Sequence, residues 1–175
     1  MGWQQVMTAN RLGSLVQELQ ALTGDPTKGL PEEVFLYASQ ITPLVNVDLL
    51  IKDETKGVLL TWRDDGHYDA GWHVPGGIIR FKETFSDRIH AVAQQELGAS
   101  VVHDPAPLAI NQVIHPVNTI RGHFISLLFA CRLTSPLAEA LAAHVPPTKD
   151  QWQWHKTCPK NLIPVHHMYR PYLFA

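Results

Sequence analysis

Two cysteines in 175 residues do not make a disulfide scaffold. Neither the number nor the spacing of Cys131 and Cys158 suggests a zinc site, and a reducing compartment, the cytoplasm, is the expectation. Charge is also sparse, at 17% of residues with a net charge of −2. That balance gives no general pull towards nucleic acid or an anionic membrane. No apolar run approaches the ~20 residues of a membrane span. The N-terminus shows no basic flank, apolar segment and cleavage site of a signal peptide. The ten histidines scatter, and no pair has the His-x-x-x-His spacing of a helical zinc site. Internal repeats and low-complexity segments are absent. What remains is a soluble chain, 45% apolar, long enough for one domain with a real core.

The informative stretch runs from Gly76 to Ala99. Pro75-Gly76-Gly77 reads as a turn where the backbone can run close to a ligand or another strand. From Thr84 the pattern becomes helical: Phe85, Ile89, Val92, Ala93 and Leu97 recur at spacings of three and four. Glu83 and Thr84 sit where capping residues belong, and Gly98 closes the helix. The spacing predicts a helix from about Thr84 to Leu97, with Arg88, Gln95 and Glu96 off the apolar stripe. Glu96 can then point towards the Gly76 backbone. A carboxylate beside a free carbonyl is the hard oxygen ligation that Mg²⁺ or Mn²⁺ takes; a solvated polar helix face is the alternative.

Before this stretch, Leu12, Leu15, Val16, Leu19 and Leu22 fall at helical spacing and Gly24-Asp25-Pro26 stops the helix. That stripe must cover this domain's own sheet or a second subunit, and a homodimer is the expectation. Pro31 at a first helical position, with Glu32 and Glu33, starts a second helix to about Ile41. Strands are expected at Leu44–Ile51 and Val58–Trp62, joined as a hairpin. Arg63 to Gly71 reads as a polar loop, and Trp72–Pro75 and Ile78–Phe81 as strands flanking the glycine turn. Later strands are expected at 99–103, 108–114, 123–133 and 151–155. Pro136 opens a short helix to about Ala143, and a last helical stretch over 161–172 is broken at Pro164 and Pro171. The division is an N-terminal helical extension, 1–42, and a main domain, 43–175. The fold class is α/β, a mixed β-sheet between helical layers.

Asp48 interrupts an apolar strand, and a carboxylate there needs a partner. Arg63 ends the returning strand, so the hairpin can bring the two near each other, as a structural ion pair or as part of a site.

The segment resembles the signature of the Nudix hydrolases: Gly, five residues, Glu, seven residues, then Arg-Glu-apolar-x-Glu-Glu-x-Gly-apolar. Gly77, Glu83, Glu96, Gly98 and Ala99 match at the right spacing. Ala91 replaces the signature arginine, Val92 the first metal-binding glutamate and Gln95 the second. Keeping only the last of the three signature glutamates on the helix resembles the GDP-mannose mannosyl hydrolase branch. The similarity extends upstream through Trp72–Gly77 and Thr61-Trp62-Arg63 to Asp48.

The resemblance implies a Nudix-type α/β/α sandwich and a divalent-metal-dependent hydrolase of a nucleoside-diphosphate-linked compound, a nucleotide sugar such as GDP-mannose. It implies Asp48, Arg63 and Glu96 as catalytic, with Arg63 assisting departure of the diphosphate through its bidentate guanidinium. Mg²⁺ (or Mn²⁺) would sit at Gly76, Glu96 and Gln95. Substrate would meet Arg63, Arg80 and His123. Arg80 stands one pleat beyond Ile78, where the branch has its arginine, and solvation is its alternative. Glu83 and Arg88 are assigned to positioning, Arg88 pairing with Glu83 or Gln95. The branch takes its general base from a late loop, here 145–150, where Thr148 or Lys149 stands at the nearest place; His144 and then His155 are the substitutes. Two other readings stay open: a Nudix fold that binds a nucleotide without turnover, and a general Nudix pyrophosphatase.

Overall fold

The computed structural model describes residues 3–66 and 69–174, with side chains from residue 10 onward. Helix α1 (Trp3–Thr23) ends at Gly24, whose φ of 68° suits a residue without Cβ. Helix α2 (Glu32–Ile41) follows, with Pro31 at the capping position rather than the first helical one. Strands β1 (Leu44–Asp53) and β2 (Gly57–Arg63) form the expected hairpin, paired at Lys52–Val58 and Asp53–Gly57. Two short strands come next, β3 (Gly71–His73) and β4 (Gly76–Ile78). The loop expected over 63–71 includes residues 67 and 68, which lie outside the described ones. After helix α3 (Phe85–Val92) come β5 (Val101–His103), β6 (Ala109–Ile114), β7 (His123–Leu133), β8 (Trp152–His155) and helix α4 (Arg170–Leu173). No described helix is long and apolar enough to cross a membrane.

The eight strands make one mixed sheet, ordered β3-β2-β1-β7-β5, with β4 on β1, β6 on β7 and β8 on β2. Among the described strands, β1 and β7 run parallel and the other pairs antiparallel. The period-2 alternation of β1 divides the core. Val47, Leu49 and Ile51 pack with Ile89, Val92 and Leu97 of the central helix. Leu50 packs on the opposite face with Tyr169 and Leu173 from the C-terminal segment. The result is the expected three-layer α/β arrangement.

Four local expectations need correction. Gly76 and Gly77 are strand residues, not a turn, and neither has positive φ. They are glycines because other groups crowd them. A Cβ on Gly76 would lie 2.3 Å from Asp48 Oδ1, and one on Gly77 2.8 Å from Val92 Cγ2. The strand expected over 78–81 stops at Ile78. The helix expected after Pro136 is a single 3₁₀ turn, Glu139–Leu141. Pro164 begins a 3₁₀ turn (Pro164–Tyr169) instead of breaking a helix, since a first-turn residue needs no N–H.

The central helix is capped as read. Thr84 accepts from the Asp87 N–H, and Asp87 reciprocates, satisfying donors that the first turn leaves free. Gly98 ends it at φ 59°. Ile89 is fully buried; Phe85, expected in the packed stripe, is half-exposed and reaches the core edge at Phe129. Residues Ala93–Leu97 form a π turn instead of continuing the α-helix. Its wider turn advances each residue by a smaller angle, which reorients Glu96 relative to Ile89 and Val92.

Candidate functional site

Strand β1 changes its neighbour on one side. It pairs with β4 over Asn46–Asp48 and with β2 only at Lys52 and Asp53. A cleft of about 390 Å³ lies beside this divergence and is lined by Asp48, Arg63, His73, Gly76 and Glu96 among others. Asp48 projects from β1, Arg63 from the end of β2, and Glu96 from the π turn.

Asp48 is 2% exposed. Its Oδ2 accepts the Tyr169 hydroxyl at 2.5 Å and the Asn46 side-chain amide at 2.8 Å. Burial nonetheless pushes its pKa up to about 7, against those hydrogen bonds and the Arg63 charge. Glu96 receives the Thr61 hydroxyl at 2.7 Å on Oε2 and the Gly76 N–H at 3.2 Å on Oε1. Burial pushes it up to about 7 as well. With Glu96 ionised, Thr61 spends its one proton on the carboxylate. His73 Nε2, 2.9 Å from Thr61 Oγ1, must then donate to that hydroxyl. Burial, and next the Arg63 charge, push His73 down to about 3, so the neutral ring 3.8 Å from Glu96 brings no compensating charge. His166 is neutral too: it is buried, its Nδ1 accepts the Val74 N–H at 3.0 Å, and its pKa lies well below the usual histidine value.

Glu83 and Arg88 pair outside the cleft. Arg88 Nε and Nη2 donate to the two Glu83 oxygens at 2.8 and 2.7 Å. The Arg88 stem lies beneath Gly77, its Cδ 3.1 Å from where a Cβ would be. The pair therefore braces β4 from below. Gln95 is exposed and does not line the cleft. Arg80 donates its N–H to Glu83, but its exposed side chain lies near Gly29. That follows from β4 ending before it. His123 faces Gln112 and borders a separate groove. His144 and His155 are likewise absent from the cleft wall, whereas Phe124, Lys149 and Asp150 belong to it.

Sequence reasoning passed over Thr61, His73, His166, Tyr169 and Arg121. Trp72-His73-Val74 carried a signal for His73, since it precedes the glycines and alternates into the cleft. Tyr169 and Arg121 carried none, because they reach the site from elements distant along the chain.

The donor set suits a hard divalent cation. Asp48 is buried and Glu96 partly buried, and neither has a Lys or Arg ion pair among the described salt bridges. Gly76 opposes Asp48 between two hydrogen-bonded positions of the β1–β4 ladder, set by Leu49 N–H to Pro75 and Ile79 N–H to Val45. Its N–H and C=O therefore point away from β1, and the N–H reaches Glu96. Among the described residues no three or more His, Cys, Asp or Glu side chains converge as a preformed cage. A hard divalent cation that keeps several of its waters needs few protein ligands. Glu96 and the Gly76 carbonyl are the residues that would hold it.

No protein-family model matches the chain. The low-salt glycan biosynthesis protein Agl8 of Haloferax volcanii is 40% identical over 123 residues, 68% of this chain and 78% of that protein. A possible asymmetric diadenosine tetraphosphate hydrolase from Jonesia denitrificans superposes with a TM-score of 0.57 at 17% identity, over 73% of this chain and 90% of that one. A Nudix-family hydrolase from Clostridium perfringens superposes with a TM-score of 0.50 at 16% identity, over 67% and 87%. The fold is that of the Nudix hydrolases. By identity and coverage the chain belongs to the family of the Haloferax glycan biosynthesis protein, and it carries its degenerate signature on this fold.

Proposed function

We propose that the protein is a divalent-metal-dependent hydrolase of a nucleoside-diphosphate-linked compound, with a nucleotide sugar such as GDP-mannose as the preferred class. The observation that carries this reading is the convergence of Glu96, the Gly76 backbone, Asp48 and Arg63 on one cleft. A metal bound there would neutralise diphosphate oxygens and stabilise charge as the leaving group departs. Glu96 is held for that task by Thr61 and the Gly76 N–H. Arg63 supplies a guanidinium that meets phosphate oxygens bidentately. Asp48, raised towards neutrality by burial, is suited to hold or accept a proton near pH 7.

A single glutamate at the three signature positions of the helix supports attack at the sugar carbon over attack at phosphorus. Splitting a pyrophosphate usually recruits several metals and a carboxylate-rich helix, and here Val92 is buried in the core. The glycan biosynthesis name of the Haloferax relative supports a sugar-containing substrate. The burial of Val92 also favours the alternative of a nucleotide-binding module without turnover. Residues 43–175 would form the hydrolase domain and 1–42 an extension to it. A panel of nucleotide sugars and dinucleotides with Mg²⁺ or Mn²⁺, with products separated, tests the reading. Sugar plus nucleoside diphosphate supports it, a nucleoside monophosphate points to the pyrophosphatase, and binding without products to the module.

A further inference from the structure

Arg121 lies in the loop between β6 and β7, far from any signature residue, yet it lines the same cleft as Asp48 and Glu96. Its backbone takes φ 52°, an uncommon conformation for a residue with a side chain. Two contacts from α2 accompany it. The Arg121 N–H donates to Ser39 Oγ at 3.1 Å, and the guanidinium lies 6.0 Å from the Phe35 ring centre. Gly122 tightens the same loop, since a Cβ there would lie 2.1 Å from the Asn118 carbonyl oxygen. The outer end of Arg121 meets Asp65: Nη1 stands 3.5 Å from Oδ2. The same oxygen accepts from Arg63 Nε at 2.9 Å and Nη2 at 2.6 Å.

One carboxylate oxygen thus gathers two guanidinium groups from separate parts of the fold, at the edge of the cleft. A diphosphate offers those groups the same kind of acceptor with more oxygens and more charge. We propose that Arg63 and Arg121 together form the clamp for the substrate's diphosphate, and that Asp65 holds this clamp as an internal counter-anion that the diphosphate displaces. The N-terminal extension then belongs to the site, because α2 fixes Arg121. This rests on the reading of the cleft as a nucleoside diphosphate site and adds a second arginine and a competing carboxylate to it.

The two variants have opposite signs, which loss of folding cannot imitate. Binding of inorganic pyrophosphate and, in parallel, of GDP is measured by calorimetry with Mg²⁺ on the full chain. Asp65→Asn should tighten both by about three- to tenfold, because the competing charge is gone. Arg121→Gln should weaken both by about tenfold or more, as expected for a lost hydrogen bond between charged groups. Weaker binding in Asp65→Asn would overturn the proposal. So would Arg121→Gln within twofold of the parent, no pyrophosphate binding by the parent, or a shift with pyrophosphate but none with GDP. If no nucleotide-linked compound is hydrolysed and these affinities still move as stated, hydrolysis falls while the clamp stands.

Discussion

Two acids, Asp48 and Glu96, set the chemistry at the scale of single residues. Both are raised to about 7 by burial, whereas in the unfolded chain they ionise near pH 4. Between about pH 4 and 7 the folded state therefore binds more protons than the unfolded one. Stability contributed by these groups is present below pH 4, falls as pH rises through that window and levels off above about 7. A tenfold change in an ionisation constant corresponds to about 1.4 kcal/mol, so the loss is on the order of a few kcal/mol. The neutral histidines His73 and His166 act in the opposite sense over the same window, so the check is a comparison. In thermal melts of metal-free protein from pH 5 to 8, Asp48→Asn should lose less Tm than the parent, and identical pH profiles would contradict the assignment. Gly76 is the other sensitive position. Gly76→Ala drives a Cβ towards Asp48 Oδ1 and should cost about 2 kcal/mol in denaturant melts together with most of the activity. Glu96 was legible from its signature spacing, and Gly76 from the glycine pair that lets the backbone run close to a ligand; both line the cleft. Tyr169 was not, since a hydrogen bond between residues 48 and 169 leaves no local pattern.

Among the elements, the central helix was legible in its cap, its apolar stripe and its terminal glycine, each a local rule. Its π turn was not, because no proline or glycine marks it and each residue from Ala93 to Leu97 also suits an α-helix. The Glu83–Arg88 pair was one of two pairings that spacing allowed; burial of the Arg88 stem beneath Gly77 decided it. Arg88→Ala would leave Glu83 without its bidentate partner and remove the packing under β4. A loss of about 3 kcal/mol is expected, near the lower end for breaking a buried pair because Glu83 is partly exposed, and a change under 1 kcal/mol in denaturant melts would count against the bracing role. Helix α1 presents Leu12, Leu15, Val16, Leu19 and Leu22 on its exposed surface. We propose that a second subunit covers this stripe, as such apolar faces commonly meet a partner. Sedimentation should give a dimer that Leu15→Lys combined with Leu19→Lys converts to a monomer. A monomer in the parent chain at all practical concentrations would sink that proposal.

Across the whole molecule, α/β class, strand order along the chain and the hairpin were readable from alternation and turn residues. The cleft was only half readable. Its floor comes from β1, β2, β4 and the central helix, near the signature; the 145–150 loop, with Lys149 and Asp150, was placed there by the resemblance alone, while Arg121 and His166 arrive from later segments through long-range packing. Arg80 and His123 show the converse, since matching the family by position did not bring them to the cleft. The central claim is metal-dependent hydrolysis at a site with one signature carboxylate, and one comparison tests it most directly. GDP-mannose is incubated with Mg²⁺ and either the parent chain or Glu96→Gln, and products are separated over time. The account predicts mannose and GDP from the parent, no reaction when metal is chelated, and a rate lower by on the order of a hundredfold or more in the folded variant. Parent-level turnover by Glu96→Gln with Mg²⁺ would contradict it.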